Sequence, residues 1–286
     1  EFIFTHKMPA AAVVLNGYGK SQGLVQIQEL GTLETPIALT NTLNVGRVHD
    51  ALVEYMVGQA EKHGVELRSV NPVVGEYNDA SLNRITERVI GIPEVMSAIE
   101  STGADFEEGD VGAGKGTTCF GLKGGIGSAS RIFQVGTECY TLGVLVQSNF
   151  GSTENLRIDG QPVGRRILQE IAPSALDKGS IMIVMATDLP ASDRQLTRII
   201  KRAGVGLARM GSWGHGSGDI VIGFSTAQRI RTEERAGTVP FRILNEEYID
   251  TVFQAMADAT EEAVLRSMLQ ADAVGKRRSL KEFLQK

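Results

Sequence analysis

Four features of this chain bring together residue types that could do chemistry. The first is Gly109-Asp110-Val111-Gly112-Ala113-Gly114-Lys115-Gly116-Thr117, which has the glycines and lysine of a phosphate loop. Such a loop converges backbone N–H groups and a lysine on phosphate, and it needs a buried strand before it and a helix after it. Here the approach is acidic (Asp105, Glu107, Glu108, Asp110), and residues 120–127 hold too much glycine for a helix, so a structural turn is the plainer reading. The second is His215 with Ser217 and Asp219, the residue types of a Ser/His/Asp triad. Residues this close along one chain seldom reach that geometry together, and His215 and Asp219 fill the two places where a G-x-S-x-G elbow needs glycine. A literal elbow string occurs at Gly19-Lys20-Ser21-Gln22-Gly23, but the strand expected after it makes it a polar turn. The third is the thiol pair: Cys119 and Cys139 lack C-x-x-C spacing and read as buried structural thiols. His6, His49 and His63 show no metal-ligand spacing, so neither a metal nor a cofactor is expected.

The fourth feature is Gly179-Ser180. A serine that follows glycine at the end of a polar, broken segment and opens an apolar strand suits an N-terminal nucleophile. If the peptide before it is cut, the freed α-amine has a reference pKa of ~7.7–8.0 and can act as base for its own hydroxyl. The bland alternative is a serine that caps a strand.

These residues need elements to position them. Residues 10–15, 23–30, 35–39, 67–74, 130–136, 140–147, 180–186 and 219–224 read as strands. A helix is expected over 45–63, with Val48, Leu52, Met56 and Ala60 on one stripe and Gly64 as its stop. Helical pieces are expected within 82–99. A further helix runs over 192–210 from the cap Ser192, and the last starts at the cap Asn245. Residues 151–179 are polar and broken, with Gly160, Gly164 and Pro173, and lead to Lys178-Gly179-Ser180. Strands and helices mix without βαβ alternation, which favours helices layered on largely antiparallel sheets.

Composition narrows the function classes. In 286 residues, 42% are apolar and 22% charged, the balance of a globular protein with no apolar run long enough for a membrane helix. The net charge of −5 offers no basic field to nucleic acid or anionic lipid. Two cysteines cannot staple a secreted framework, which points to a reducing, cytoplasmic compartment. Glycine is in excess, 33 residues against a typical ~7%, and the chain opens on Glu1 rather than Met.

The stretch Gly179-Ser-Ile-Met-Ile-Val-Met-Ala-Thr-Asp188 resembles the autocleavage site of the L-aminopeptidase/D-Ala-esterases, the family that includes the β-aminopeptidases. Further strings agree in matching order: Gly31-Thr-Leu-Glu-Thr-Pro-Ile-Ala-Leu-Thr-Asn-Thr-Leu43, Pro72-Val-Val-Gly-Glu-Tyr-Asn-Asp79, Lys123-Gly-Gly-Ile-Gly-Ser-Ala-Ser-Arg131, Gly143-Val-Leu-Val-Gln-Ser-Asn-Phe-Gly151 and Gly216-Ser-Gly-Asp-Ile-Val-Ile-Gly-Phe-Ser-Thr226. The resemblance implies an α/β chain folded as a four-layer α/β/β/α sandwich of the ornithine-acetyltransferase-like superfamily. It implies a single catalytic domain, 1–286, cut into parts 1–179 and 180–286. It also implies removal of N-terminal residues from peptides, amides or esters with a free amine, by way of an acyl-enzyme. In that reading Gly179–Ser180 is the cleaved bond and Ser180 the nucleophile. Ser217 and Asp219 orient and tune it, Asn149 supplies the oxyanion hole, and Glu76 holds the substrate ammonium.

Two departures stand out. Where family members often carry a Tyr as second oxyanion donor, two residues after that Glu, this chain has Asn78, with Tyr77 one place earlier. The family also has further chain upstream of the His6 region, so this sequence reads as lacking its natural beginning. The alternatives are an acyltransferase of the ornithine acetyltransferase type, which uses threonine after the cut, or an inactive binding protein of the same fold. A homo-oligomer is expected; the basic tail Lys276, Arg277, Arg278, Lys281 and Lys286 is a candidate docking element, although a solvated helix end is the usual meaning of such a run.

Overall fold

The computed structural model describes residues 1–171, 179–212, 214–232 and 234–284. Elements follow in chain order: β1 (His6–Gly17), α1 (Leu24–Leu30), β2 (Thr32–Leu33), β3 (Ile37–Asn41), α2 (Val45–His63), β4 (Val73–Tyr77) and α3 (Ile92–Glu100). Two short strands, β5 (Thr118–Cys119) and β6 (Leu122–Lys123), precede the long hairpin β7 (Ile126–Val135) and β8 (Glu138–Asn149). Then come α4 (Val163–Ile167), β9 (Ser180–Thr187), α5 (Asp193–Ile200), α6 (Ala203–Met210), β10 (Gly218–Ser225), β11 (Ile230–Arg231), α7 (Ile249–Leu269) and α8 (Lys281–Leu284).

A large sheet in the order β11-β1-β10-β9-β8-β7 forms the centre, with β2 paired to β1. Its neighbours are antiparallel except β9 and β10, which run parallel in the middle. One face carries α5, α6 and α7, and the other faces the parallel pair β3-β4, which α2 and α3 cover. The layers are therefore helix, sheet, sheet, helix. Strand alternation divides the core between them. Ile181, Ile183 and Met185 of β9 join the cluster under α5–α7, whereas Met182 joins Ala10, Val73, Ile220 and Ile222 on the β3-β4 side. Ser180 shares the parity of Met182 and so opens toward β3-β4.

Helix α2 spans the expected residues, with Gly64 at φ 65° closing it. Three expectations are corrected. Residues 23–30 form no strand but the helix α1, entered through Gly23 at φ 83° and closed by Gly31 at φ 64°, whose N–H reaches Ile27 O. Apolar residues at 24, 25 and 27 fit neither period well, and the helix buries Ile27 while leaving Val25 outside. The strand placed at 67–74 begins only at Val73: Pro72 has no N–H for a ladder, and Glu34 holds the preceding turn through Asn71 N (3.0 Å) and Nδ2 (2.8 Å). The single helix over 192–210 is two, α5 and α6. Ser192 makes its capping box with Gln195 (3.2 Å each way), and Gly206 lets the second helix press against the α7 backbone. The expected cap at the last helix is present: Asn245 Oδ1 accepts from Glu247 N at 3.2 Å, at the head of a short 3₁₀ turn before α7.

Pro173 and Lys178, expected in the segment before the cut, lie outside the described residues, as does Lys286. Three residues of the basic tail are folded back on their own chain. Arg277 Nη1 donates to Gly121 O (3.1 Å), Arg278 pairs with Glu282 (2.8 Å), and Lys281 pairs with Asp272 (2.6 Å). No helix among the described residues is long and apolar enough to cross a membrane.

Candidate active site

The site forms where β9 begins. Ser180 lies between two strands, opposite Asn149 of antiparallel β8 and opposite Gly218 of parallel β10. It is 5% exposed, and its Oγ accepts from Gly218 N at 3.3 Å. The same N–H reaches the Gly179 carbonyl oxygen at 3.2 Å. Glycine is required at 179 because a side chain there would overlap the Asn149 carbonyl.

Asn149 is held at both ends of its amide. Its Oδ1 accepts from Thr118 N (2.8 Å) and Thr118 Oγ1 (3.5 Å), and its Nδ2 donates to Asn78 O (2.9 Å). These bonds fix which end is nitrogen, and Nδ2 carries a second N–H beyond the one given to Asn78.

Ser217 and Asp219 flank Gly218, and the Ser217 hydroxyl donates to Asp219 Oδ1. Burial pushes the Asp219 carboxyl above its ordinary range, and the Ser217 bond pulls part of that back. The turn that carries Ser217 is braced by Asn16, whose Nδ2 donates to the carbonyls of Gly214 (3.2 Å), His215 (2.9 Å) and Ser217. A register shift in β1 between Val14 and Asn16 re-aims that side chain, which lies opposite Asp219.

Glu76, on β4, is 1% exposed. Its Oε1 accepts from Lys20 N at 2.7 Å and its Oε2 from the Thr42 hydroxyl. Gly19 links this acid to the nucleophile: a Cβ there would lie 3.5 Å from Glu76 Oε1 and 3.9 Å from Gly218 Cα. A cavity of about 540 Å³ opens beside Gly19, lined among others by Val14, Leu24, Val25, Gln28, His49 and Ile220.

The structure therefore brings Ser180, Asn149, Ser217, Asp219 and Glu76 to one end of the central strands. Tyr77 and Asn78 are adjacent, Tyr77 with its hydroxyl committed elsewhere. The Tyr77 hydroxyl donates to Ala113 O, and burial, with the Asp79 charge, pushes its phenol far up. The Asn78 side chain accepts from Ala80 N (3.0 Å) in a local turn. Asn16, Thr118 and Thr42 do not stand out in the sequence. A polar residue at the end of an apolar strand is the one available signal for Asn16.

The competing motifs resolve physically. Residues 109–117 pass through a 3₁₀ turn, Gly112–Gly114, into β5 rather than a helix. The buried lysine beside that turn, Lys123, binds carbonyls: Gly114 O (2.8 Å) and Gly124 O (2.7 Å). His215 is exposed and meets the Tyr18 ring edge-on at 6.2 Å, while Ser217 turns to Asp219. A helix, not a strand, follows the string at residues 19–23, contrary to expectation, yet Ser21 Oγ bonds Met182 Sδ at 3.5 Å. Neither cysteine is in a disulfide; Cys119 is buried as expected, but Cys139 is exposed near the β7-β8 hairpin turn.

A profile of peptidase family S58 matches residues 1–281. The chain belongs to peptidase family S58. A β-peptidyl aminopeptidase of Sphingosinicella microcystinivorans is 36% identical over 275 residues, covering 91% of this chain and 68% of its own. The PH0078 protein of Pyrococcus horikoshii OT3 superposes with a TM-score of 0.92 at 44% identity, covering all of this chain (100%) and 81% of its own. The L-aminopeptidase/D-Ala-esterase/amidase of Ochrobactrum anthropi, described as a prototype serine aminopeptidase with a variant Ntn-hydrolase fold, superposes at 0.90 with 34% identity over 98% of this chain and 80% of its own. The four layers are that fold, and the chain is a hydrolase of the N-terminal-nucleophile aminopeptidase class.

Proposed function

We propose that the chain cuts itself between Gly179 and Ser180 and that the new N-terminal serine is the nucleophile of a peptide, amide and ester hydrolase. The observation that carries this reading is the position of Ser180, at the first residue of a central strand, with Asn149 and Gly218 opposite it. In the cut, Ser180 Oγ attacks the Gly179 carbonyl carbon. The O–C bond forms as the C–N bond breaks, and the hydroxyl proton passes to the departing nitrogen. Water then hydrolyses the ester, leaving the Gly179 carboxylate and a free hydroxyl.

In turnover the α-amine of Ser180 takes the hydroxyl proton and returns it to the leaving amine. Asn149 donates to the oxyanion, and the buried Ser217–Asp219 pair, which brackets the register partner of Ser180, orients and tunes the amine. Glu76 receives the substrate ammonium in a charge-assisted bond, which selects unblocked N-termini. The β-peptidyl aminopeptidases among the relatives extend the proposed substrate class to β-aminoacyl amides. We place the processed unit in a reducing, cytoplasmic setting and in a homo-oligomer, which sedimentation of the mature protein measures.

Stopping turnover of an ester substrate and mapping the peptides tests the reading. The acyl group is expected on the fragment that begins at Ser180. An acyl group on any other residue contradicts it.

A further inference from the structure

We propose that the main-chain N–H of Gly218 is the second oxyanion donor of Ser180, in self-cleavage and in turnover alike. The inference rests on the nucleophile reading above. It bears on the stretch where Tyr77 and Asn78 stand: the Tyr77 hydroxyl donates to Ala113 O and Asn78 is exposed, whereas the Gly218 N–H is buried against the reacting carbonyl.

In a parallel pair, an N–H reaches the carbonyl of the residue before its register partner. Gly218 is opposite Ser180, so its rung falls on Gly179 O, at 3.2 Å. Elsewhere in the ladder such a rung only joins strands. Here its acceptor is the oxygen that becomes negative when Ser180 attacks. The donor is also 3.3 Å from the attacking Oγ, so it sits beside both reacting groups before any bond forms. Asn149 stands opposite Ser180 on the other neighbour strand, so the two strands that flank the nucleophile, β8 and β10, each bring one donor residue to it.

The residue type fits this role. A Cβ at 218 would lie 2.7 Å from Gly19 N and 3.0 Å from Ser180 Oγ, in the space the acyl group needs. Self-cleavage and turnover both pass through an ester on the same Oγ, so a substrate carbonyl replaces the Gly179 carbonyl at the same N–H. The donor transfers no proton in either step.

Replacing Gly218 by glycolic acid in a semisynthetic full chain turns the N–H into an ester oxygen and adds no side chain. The same backbone ester at Ile222, opposite Val184 in the same strand, is the control. Intact mass follows scission with time, and steady-state kinetics follow the cut enzyme. The ester at 218 is expected to slow scission by ~10²–10³ and lower kcat by a similar factor, with KM little changed and the Ile222 ester near wild type. Wild-type rates at 218, or equal losses at both positions, overturn the proposal. A wild-type chain that never cuts contradicts the nucleophile reading instead. If the ester at 218 does not fold, ¹³C-labelled Gly179 in uncut Ser180→Ala gives a second reading: a carbonyl stretch at the hydrogen-bonded frequency is expected, and a free-carbonyl frequency overturns it.

Discussion

Replacing Asn149 separates a direct role at the oxyanion from a role in holding the site together. In Asn149→Ala, the donor to the oxyanion is lost, a change worth ~10²–10³ in kcat, or ~2.7–4 kcal/mol of barrier, where single donors have been removed. The same change strips Thr118 N of its 2.8 Å acceptor, and an unsatisfied buried N–H costs about 1–3 kcal/mol of stability. Asn149→Asp keeps an acceptor for Thr118 but puts negative charge where the oxyanion develops. The account therefore predicts that Asp recovers the Thr118 bond, at the cost of a buried carboxylate facing Asn78 O, and recovers none of the rate. Processed protein of each variant is assayed with an aminoacyl p-nitroanilide for kcat and KM, and by urea melts for stability. Near-wild-type kcat in Asn149→Asp, or a loss confined to KM, refutes the reasoning.

Glu76→Gln keeps an oxygen to accept from Lys20 N, turns its Nε2 into a donor to the Thr42 hydroxyl, and loses the charge. It should cost about 10–100-fold in kcat/KM for free-amine substrates, from a charged hydrogen bond of ~1.5–3 kcal/mol, while self-cleavage persists. Equal losses in both reactions remove it from substrate binding. The Ser180 α-amine must be neutral to act and sets the upper acid limb of the rate profile near its reference ~7.7–8.0; Asp219 must be ionised, and its raised pKa places a second, lower limb above the ordinary Asp value of ~3.9, with the remaining activity lost as pH falls through it. Ser217→Ala removes the bond that lowers this pKa, so the lower limb should move to higher pH; a limb that stays or moves down contradicts the assignment. Burial pushes Lys123 down to about 8 from 10.5, so the unfolded chain binds more protons and stability rises with pH across that window, by up to about 3 kcal/mol. Lys123→Met should flatten that rise, and parallel curves for the two proteins count against it.

Much of the scaffold was legible because its signals are local. The stripe Val48, Leu52, Met56 and Ala60 with Gly64 behind it defines α2, and the apolar run after Ser180 defines β9. Helix α1 was not, because seven residues between two left-handed glycines carry too little periodicity to tell a helix from a strand. The site divides in the same way. Gly179-Ser180 has a local meaning, but nothing local places Asn149 or Gly218 beside it, since both contacts depend on sheet register. The matching strings named Asn149 and Glu76 without their supports. Thr118, Thr42 and Asn16 act through contacts far apart in the chain, which no nearby spacing encodes.

The central claim is that this chain becomes two at one bond. Intact mass and N-terminal sequencing of the mature protein test it most directly. The account predicts fragments that meet between Gly179 and Ser180, the second beginning Ser-Ile-Met-Ile, and a single uncut chain for Ser180→Ala. A wild-type chain that remains whole and hydrolyses aminoacyl amides at full rate would contradict it.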